Sequence, residues 1–270
     1  MIKVSDFIAK FLAEHIDTGK TVFMVSGGGN MHLIDSLGKQ EGLEFVCNHN
    51  EQACTYASEG YARAASNKIG LAYVTTGPGG TNAITGVYSA WVDSIPTLTI
   101  SGQVKFQTTI ASQPDLPLRQ LGDQEVNIID LVKPITKYAV MIDDKNSIKY
   151  HLQKAVFEAK NGRPGPVWLD IPLDIQGALV DESDLFEFEA KLENSFDNHM
   201  EQVIELLRNS RRPVIIAGNG VTLSGASDDF LNLIDKLNIP VIGTFARYDI
   251  VKNDHKLFFG RFGTVGHRMA

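Results

Sequence analysis

Apolar runs alternate with amphipathic segments along the first 170 residues of the chain. Ser5 or Asp6 suits the cap of a first helix, which we expect to end at Gly19. Continuous apolar runs are typical of buried strands, and the first lies at residues 21–25. Further predicted strands are 43–47, 69–75, 96–100, 137–142 and 166–171, and further predicted helices are 31–37, 52–65, 81–91, 124–131 and 147–160. This pattern predicts an α/β fold, a doubly wound parallel sheet with helices on both faces.

The alternation stops after the last of these strands. Residues 176–195 are acidic and weakly periodic, as expected of an interdomain linker. A second alternation predicts helices at 200–209 and 226–237 and strands at 213–217 and 240–244. Two strands cannot bury both faces of a sheet. We therefore expect a first domain at 1–175 and, at 196–270, the N-terminal part of a truncated Rossmann-like domain, so that the chain is a fragment.

Composition and charge narrow the class of protein. A net charge of −7 and the absence of any Lys/Arg cluster longer than a pair argue against nucleic-acid binding. The first residues include Lys3 and no long apolar core, so we expect no signal peptide, and no apolar run has the length of a membrane span. Cys47 and Cys54 lack metal-site or redox spacing, which favours buried thiols in a reducing compartment. These features predict a cytoplasmic protein.

The first candidate for chemistry is Glu51, within Asn-His-Asn-Glu-Gln at residues 48–52. It lies at a predicted strand-to-helix junction, after an apolar strand and before a helix of small residues that permits a close approach by a ligand. Burial there would raise the pKa of the carboxyl group and suit it to sharing a proton. A helix-start carboxylate that complements the helix dipole remains the alternative.

Three further motifs follow strands. Residues 75–82 read Thr-Thr-Gly-Pro-Gly-Gly-Thr-Asn, which lacks the Lys-Ser/Thr pair of a P-loop and also suits a tight turn with Thr81 as helix cap. Residues 26–30 read Ser-Gly-Gly-Gly-Asn, an ordinary glycine turn or a close approach to a ligand. Asp-Ser-Ile-Pro at 93–96 and Ser-Gly-Gln-Val at 101–104 complete the set, and a solvated or capping role is the alternative for Gln103.

In this order, the motifs resemble the N-terminal pyrimidine-binding domain of thiamine-diphosphate enzymes of the acetolactate synthase group, in detail over residues 1–180. The resemblance implies that Glu51 hydrogen-bonds N1′ of the aminopyrimidine and activates it. It implies that Gln103 reaches toward a 2-keto acid substrate. The other residues that it assigns to cofactor binding are Gly27, Gly28, Thr75, Gly77, Pro78 and Asn82.

Several positions depart from that family. Asn50 stands where a histidine is common, Ser26 replaces a proline, and Asp123 replaces a phenylalanine. The aspartate makes its surroundings anionic, which disfavours a second keto-acid carboxylate nearby and hence acetolactate formation.

The resemblance also indicates what this chain lacks. The family binds the diphosphate through Mg²⁺ at a Gly-Asp-Gly … Asn-Asn motif in a C-terminal domain, and this sequence contains no such motif. We therefore assign no metal ligand here. Gly-Asn-Gly at 218–220 lacks the full dinucleotide fingerprint, and the glycine-rich stretch at 259–263 resembles a loop that abuts FAD in acetolactate synthases, so FAD is possible but unsupported.

The leading hypothesis is the N-terminal part of a thiamine-diphosphate-dependent carboligase or decarboxylase acting on 2-keto acids. The resemblance implies a homodimer or homotetramer with the active site between subunits, and the chain alone is expected to be inactive. One alternative is a catalytically inactive fragment or interaction module, or one subunit of a split two-subunit enzyme. A nicotinamide-dependent dehydrogenase is a more distant alternative, because no strand precedes a full dinucleotide fingerprint.

Overall fold

The computed structural model describes residues 1–16, 20–65, 68–191, 199–247 and 249–268. The chain divides into two compact units, Met1–Ala190 and Lys191–Ala270. No helix in the described ranges is both long enough and apolar enough to cross a lipid bilayer. Each unit is a separate α/β structure.

The first unit is built around a six-stranded parallel sheet. The strands of the whole unit are β1 Ile2–Lys3, β2 Thr21–Met24, β3 Glu44–Cys47, β4 Gly70–Val74, β5 Thr97–Gln103, β6 Tyr138–Met141, β7 Val167–Pro172 and β8 Leu179–Val180, of which β2 to β7 form this sheet. Its helices are α1 Val4–His15, α2 Met31–Lys39, α3 Glu51–Ala64, α4 Pro78–Asp93, α5 Ile128–Val132, α6 Ile148–Lys160 and α7 Leu173–Gly177. The strand order is β3-β2-β4-β5-β7-β6, and β1 pairs separately with β8 in an antiparallel ribbon.

Helices cover both faces of this parallel sheet, as crossover connections between parallel strands require. Every residue of the central strands β4, β5 and β7 is buried, since helices cover both faces. On one face, apolar side chains of α1, α2 and α6 pack against the sheet, among them Leu12, Leu37 and Leu152. On the other, Val87 of α4 and Val132 of α5 pack with Trp168. The predicted fold class, a doubly wound parallel sheet, is confirmed.

The strand before Glu51 differs from the prediction of a covered, apolar strand. β3 lies at the edge of the sheet, and all four of its residues are exposed, including Phe45, Val46 and Cys47. An edge strand has a neighbour on one side only, which accounts for this exposure. The prediction that both cysteines are buried is therefore wrong for Cys47, whereas Cys54 is fully buried in α3.

Three helix starts also differ from prediction. α1 begins at Val4 after Lys3, so Ser5 and Asp6 lie inside its first turn instead of capping it. α4 begins at Pro78, which proline favours because its fixed φ suits the first helical position, and Thr81 is not its cap. α5 begins at Ile128, where the Asn127 side chain accepts a hydrogen bond from Asp130 N. The predicted end of α1 at Gly19 lies outside the described residues.

The boundary of the first unit lies beyond the predicted division at residue 175. The segment predicted as a linker contains the end of α7 and all of β8, which pairs with β1. Val180 and Leu185 are buried in the main core, and their burial holds the segment to the first unit. Acidic surface residues between these contacts gave the segment the composition of a linker. Residues 192–195 of the predicted linker lie outside the described ranges.

The second unit is a smaller parallel sheet. Its helices are α8 Met200–Asn209, α9 Gly220–Leu223 and α10 Ser227–Leu237, and its strands are β9 Ile215–Ala217, β10 Val241–Gly243 and β11 Phe258–Arg261. The strand order is β11-β10-β9. The sequence predicted two strands here, so β11 is a correction. Ala217, Ile234 and Val241 form the core of this unit.

Candidate functional site

Three loops meet at the carboxyl ends of the neighbouring strands β2, β4 and β5. Because these strands are parallel, their carboxyl ends share one edge of the sheet. Gly29 N donates to Thr75 Oγ1 at 3.1 Å, which ties the β2 loop to the β4 loop. Thr76 Oγ1 donates to Gly102 O at 3.1 Å, which ties the β4 loop to the end of β5. The glycine motifs at 26–30 and 75–80 are therefore adjacent.

The glycines allow this close approach. A Cβ at Gly27 would stand 2.5 Å from Thr75 Oγ1, and a Cβ at Gly102 would stand 1.9 Å from Gly29 O. A Cβ at Gly28, in contrast, would meet nothing within 4 Å, so this glycine faces open space. The loops pack through backbone atoms, and the predicted cofactor residue Gly28 leaves room beside them.

Two buried amides hold the first glycine turn. Asn30 is fully buried; its Oδ1 accepts from Gly27 N at 2.8 Å, and its Nδ2 donates to Val25 O at 3.0 Å. Gln176 Nε2 donates to Gly29 O and to Ile171 O, each at 2.7 Å. Sequence reasoning missed Gln176 because it lay in the predicted linker.

Glu51 begins α3 and faces the second glycine motif. Asn82 Nδ2 donates to Glu51 Oε2 at 2.9 Å, and among the described residues Oε1 has no hydrogen-bond partner. The helix start does not depend on the Glu51 carboxylate, because the Asn50 side chain caps α3 by accepting from Gln52 N at 2.8 Å. The carboxylate is half-buried, with one oxygen held and the other available to a ligand.

Gly79 lies between Glu51 and Thr75. A Cβ there would stand 2.6 Å from Thr75 Cγ2 and 3.3 Å from Glu51 Oε1. Gly77 precedes α4 with φ of 56°, a conformation that favours glycine, and a Cβ on it would stand 1.9 Å from Gln124 O. Pro78 is exposed at the start of α4. Gly79 was not predicted, although the second glycine of the Gly-Pro-Gly-Gly run was its signal.

An ion-pair cluster holds α3 against α4 two to three turns along α3 from Glu51. Arg63 of α3 donates to the Glu59 carboxylate and to Asp93 Oδ2, the latter at 2.6 Å. Ser89 Oγ donates to Glu59 Oε2 at 3.0 Å. Glu59 is buried, and a buried carboxylate with two partners is costly to disturb. The Asp-Ser-Ile-Pro motif therefore has a structural role through Asp93.

The Cys54 thiol lies one turn along α3 from Glu51. Burial, together with the negative charge of Glu51, raises the pKa of Cys54 to about 12. The thiol therefore stays protonated at neutral pH and adds no second negative charge beside the carboxylate. It donates a long hydrogen bond to Asn50 O at 3.5 Å.

Gln103 is separate from this group of residues. It is 2% exposed, and its amide is fully engaged within the fold. Its Nε2 donates to Asp170 Oδ2 at 3.0 Å and to Val126 O at 3.1 Å, and its Oε1 accepts from Val104 N at 3.0 Å. The role of Gln103 toward a substrate stays a prediction, and in this structure its contacts support the loop that follows β5.

Comparison with known proteins identifies the class. Residues 2–127 match the N-terminal TPP binding domain of thiamine pyrophosphate enzymes, and residues 200–270 match their central domain. The chain belongs to the thiamine-diphosphate-dependent, acetolactate synthase-like enzyme family, as the motif order predicted.

Relatives within the family include two kinds of enzyme. The chain is 34% identical over 253 residues to the acetolactate synthase large subunit of Lactococcus lactis subsp. lactis, covering 92% of this chain and 42% of the relative. It is 32% identical over 251 residues to the glyoxylate carboligase of Escherichia coli O157:H7, covering 92% of this chain and 41% of the relative. It is 33% identical over 260 residues to the chloroplastic acetolactate synthase of Arabidopsis thaliana, covering 91% of this chain and 36% of the relative. The chain thus spans less than half the length of these relatives.

Proposed function

We propose that this chain is the cofactor-activating part of a thiamine-diphosphate-dependent carboligase or decarboxylase that acts on 2-keto acids. The observation that carries the proposal is the Glu51 carboxylate: Asn82 orients it through one oxygen, and the other oxygen has no hydrogen-bond partner in the described part of the chain. Family membership and the carboligase relatives support the same conclusion.

The residues present fit an aminopyrimidine ring. The ring is planar and carries hydrogen-bonding nitrogens, so it needs a flat space beside a carboxylate. Gly79 keeps the Glu51 carboxylate unobstructed, because a side chain there would press on Thr75 and Glu51 Oε1. Gly28, Thr75 and Gly77 line the same edge of the sheet. In this proposal, Glu51 Oε1 hydrogen-bonds the ring nitrogen and shares its proton, while Asn82 prevents the carboxylate from rotating.

The bound cofactor supplies the electron sink that decarboxylation of a 2-keto acid requires. The protein supplies the position of the ring and the proton at Glu51. Mg²⁺ is proposed to bind the diphosphate through residues outside this chain, and the chain alone is proposed to be inactive for that reason. Nothing in the described residues favours FAD or the non-catalytic alternatives over this function.

Isothermal titration calorimetry of the complete enzyme with thiamine diphosphate and Mg²⁺ tests the proposal. We expect saturable binding that Gly79→Ala weakens at least roughly tenfold, since the methyl group would press on Thr75 and Glu51. Gly38→Ala is the matched control, because a Cβ on this exposed glycine of α2 would meet nothing within 4 Å. Absence of binding to the wild-type enzyme would contradict the proposal.

We further propose a homodimer or homotetramer, as the family resemblance implies. Exposed aromatic side chains on α3 and α4 support self-association: Tyr56, Tyr88 and Trp91. The neighbouring Ala83 and Val87 are buried in the subunit's own core and do not contribute. Light scattering should give a mass above that of one 29.6 kDa chain, and Tyr88→Glu should lower it. If the wild-type chain is strictly monomeric, the exposed aromatic side chains of α3 and α4 do not cause self-association of this chain by themselves.

A further inference from the structure

A cavity of about 440 Å³ lies in the first unit, and the residues that line it do not include Glu51. It opens beneath the loop that joins β5 to α5, at the carboxyl ends of β5, β6 and β7. Gln103 and Asp170 lie at its polar end, Ile110, Val126 and Met141 form apolar walls, and Arg119 is exposed at its rim. A volume of this size is in the range of small-molecule sites.

Asp170 is the unusual group in this cavity. It is 1% exposed and lies within the otherwise apolar strand β7. Ser101 Oγ donates to Asp170 Oδ1 at 2.5 Å, and Gln103 Nε2 donates to Asp170 Oδ2 at 3.0 Å. Both donors are neutral, and no cationic side chain in the described part of the chain forms an ion pair with this carboxylate. A buried carboxylate without a compensating positive charge is unfavourable.

We propose that this cavity binds a small aliphatic primary amine in its ammonium form, with the ammonium group donating to Asp170 and the aliphatic part lying along Ile110, Val126 and Met141. The site is distinct from the one proposed for the cofactor and does not depend on it.

The chemical class follows from charge and shape. Each Asp170 oxygen already accepts one hydrogen bond and has capacity for another, so a compact ammonium group with three donors matches it. The negative charge of the Asp170 carboxylate would repel a carboxylate or phosphate ligand. A neutral alcohol could donate a hydrogen bond but would leave the buried charge uncompensated. The apolar walls favour a hydrocarbon body over a polyol.

Trp168 provides a direct probe of the site. Its indole Nε1 donates to Ser101 Oγ at 2.8 Å, and Ser101 in turn donates to Asp170. The ¹H–¹⁵N resonance of this indole therefore reports on the carboxylate. The sequence contains two tryptophans, so a Trp91→Phe background leaves one indole signal. Titrating the chain with hexylammonium should shift that signal saturably.

Matched variants and ligands complete the test. Asp170→Asn should weaken hexylammonium binding at least roughly tenfold, and 1-hexanol should bind wild type at least roughly tenfold more weakly than hexylammonium. Ala111 is an exposed residue of the cavity wall and takes no part in the hydrogen bonds around Asp170. Ala111→Phe should abolish hexylammonium binding and leave the Trp168 indole resonance of the ligand-free chain unchanged. That variant keeps the proposal testable if Asp170→Asn does not fold.

The pH dependence has a defined sign. Burial raises the pKa of Asp170 to about 6, so the carboxyl group is mostly protonated at a pH of about 5. Hexylammonium should therefore bind about tenfold more tightly at a pH of about 7.5 than at about 5. Arg119 and Glu125 also line the cavity and are unchanged in Asp170→Asn, so this variant should lose the pH dependence if Asp170 is its source. Absence of a saturable shift in wild type, equal binding of 1-hexanol, or unchanged binding in Ala111→Phe would each overturn the proposal.

Discussion

Replacing Glu51 by glutamine in the complete enzyme will lower the rate of cofactor activation by roughly 10²–10⁴-fold, the loss typical of a removed acid–base group. Glutamine has nearly the same size and can still accept the hydrogen bond from Asn82, so the pocket keeps its shape. It cannot exchange a proton with the ring nitrogen. The decrease should appear in hydrogen–deuterium exchange at C2 of the bound thiamine diphosphate, before any change in affinity for a 2-keto acid.

The same variant distinguishes catalysis from helix stabilisation. If Glu51 only complements the dipole of α3, the exchange rate should not change and the variant should lose about 0.3–1 kcal/mol of unfolding free energy. Asn50 already caps the helix, which makes that outcome unexpected. Glu41→Gln is a suitable control, because Glu41 is exposed and outside the site. Unchanged exchange in Glu51→Gln would remove the proposed role of this carboxylate.

The architecture of the first unit could be predicted because its strands are continuous apolar runs. In β4 and β7 every residue is buried and most residues are apolar, so the sequence indicates their burial. Edge positions have no such signature: β3 is apolar and exposed, because strand order depends on pairing between distant segments. The strand β11 was missed since Phe258–Arg261 is short and contains a glycine.

The candidate site was predictable only where a motif marked it. Glu51 lies in the motif at residues 48–52 and Asn82 in the motif at residues 75–82, and the structure places their side chains in contact. Gln176 was missed because its burial depends on the packing of α7. The acidic residues that follow α7 gave this part of the chain the composition of a linker. Asp170 did have a signal, a single charged residue within Val-Trp-Leu-Asp-Ile-Pro, and its partners Ser101 and Gln103 could be known only from the pairing of β5 with β7.

Asp170 should make the stability of the first unit depend on pH. Its carboxyl group is buried, and burial raises its pKa from 3.8 to about 6, although hydrogen bonds from Ser101 and Gln103 oppose the shift. The folded state therefore binds this proton more tightly than the unfolded state does. The stability that the protonated group contributes is fully present below the unfolded pKa and is lost as the pH rises through the folded pKa.

We expect wild type to lose about 2 kcal/mol of unfolding free energy relative to Asp170→Asn as the pH rises from about 4 to about 7, which is most of the free energy equivalent of the shift from 3.8 to about 6. Urea unfolding without added amine, followed by Trp168 fluorescence in the Trp91→Phe background, measures it. Other carboxyl groups titrate in the same range, but they are common to both proteins and cancel in the difference. Asp115→Asn, at an exposed position on the loop after β5, should show no such difference from wild type. A constant difference between wild type and Asp170→Asn across this range would mean that the buried carboxyl group has the same proton affinity in the folded and unfolded states.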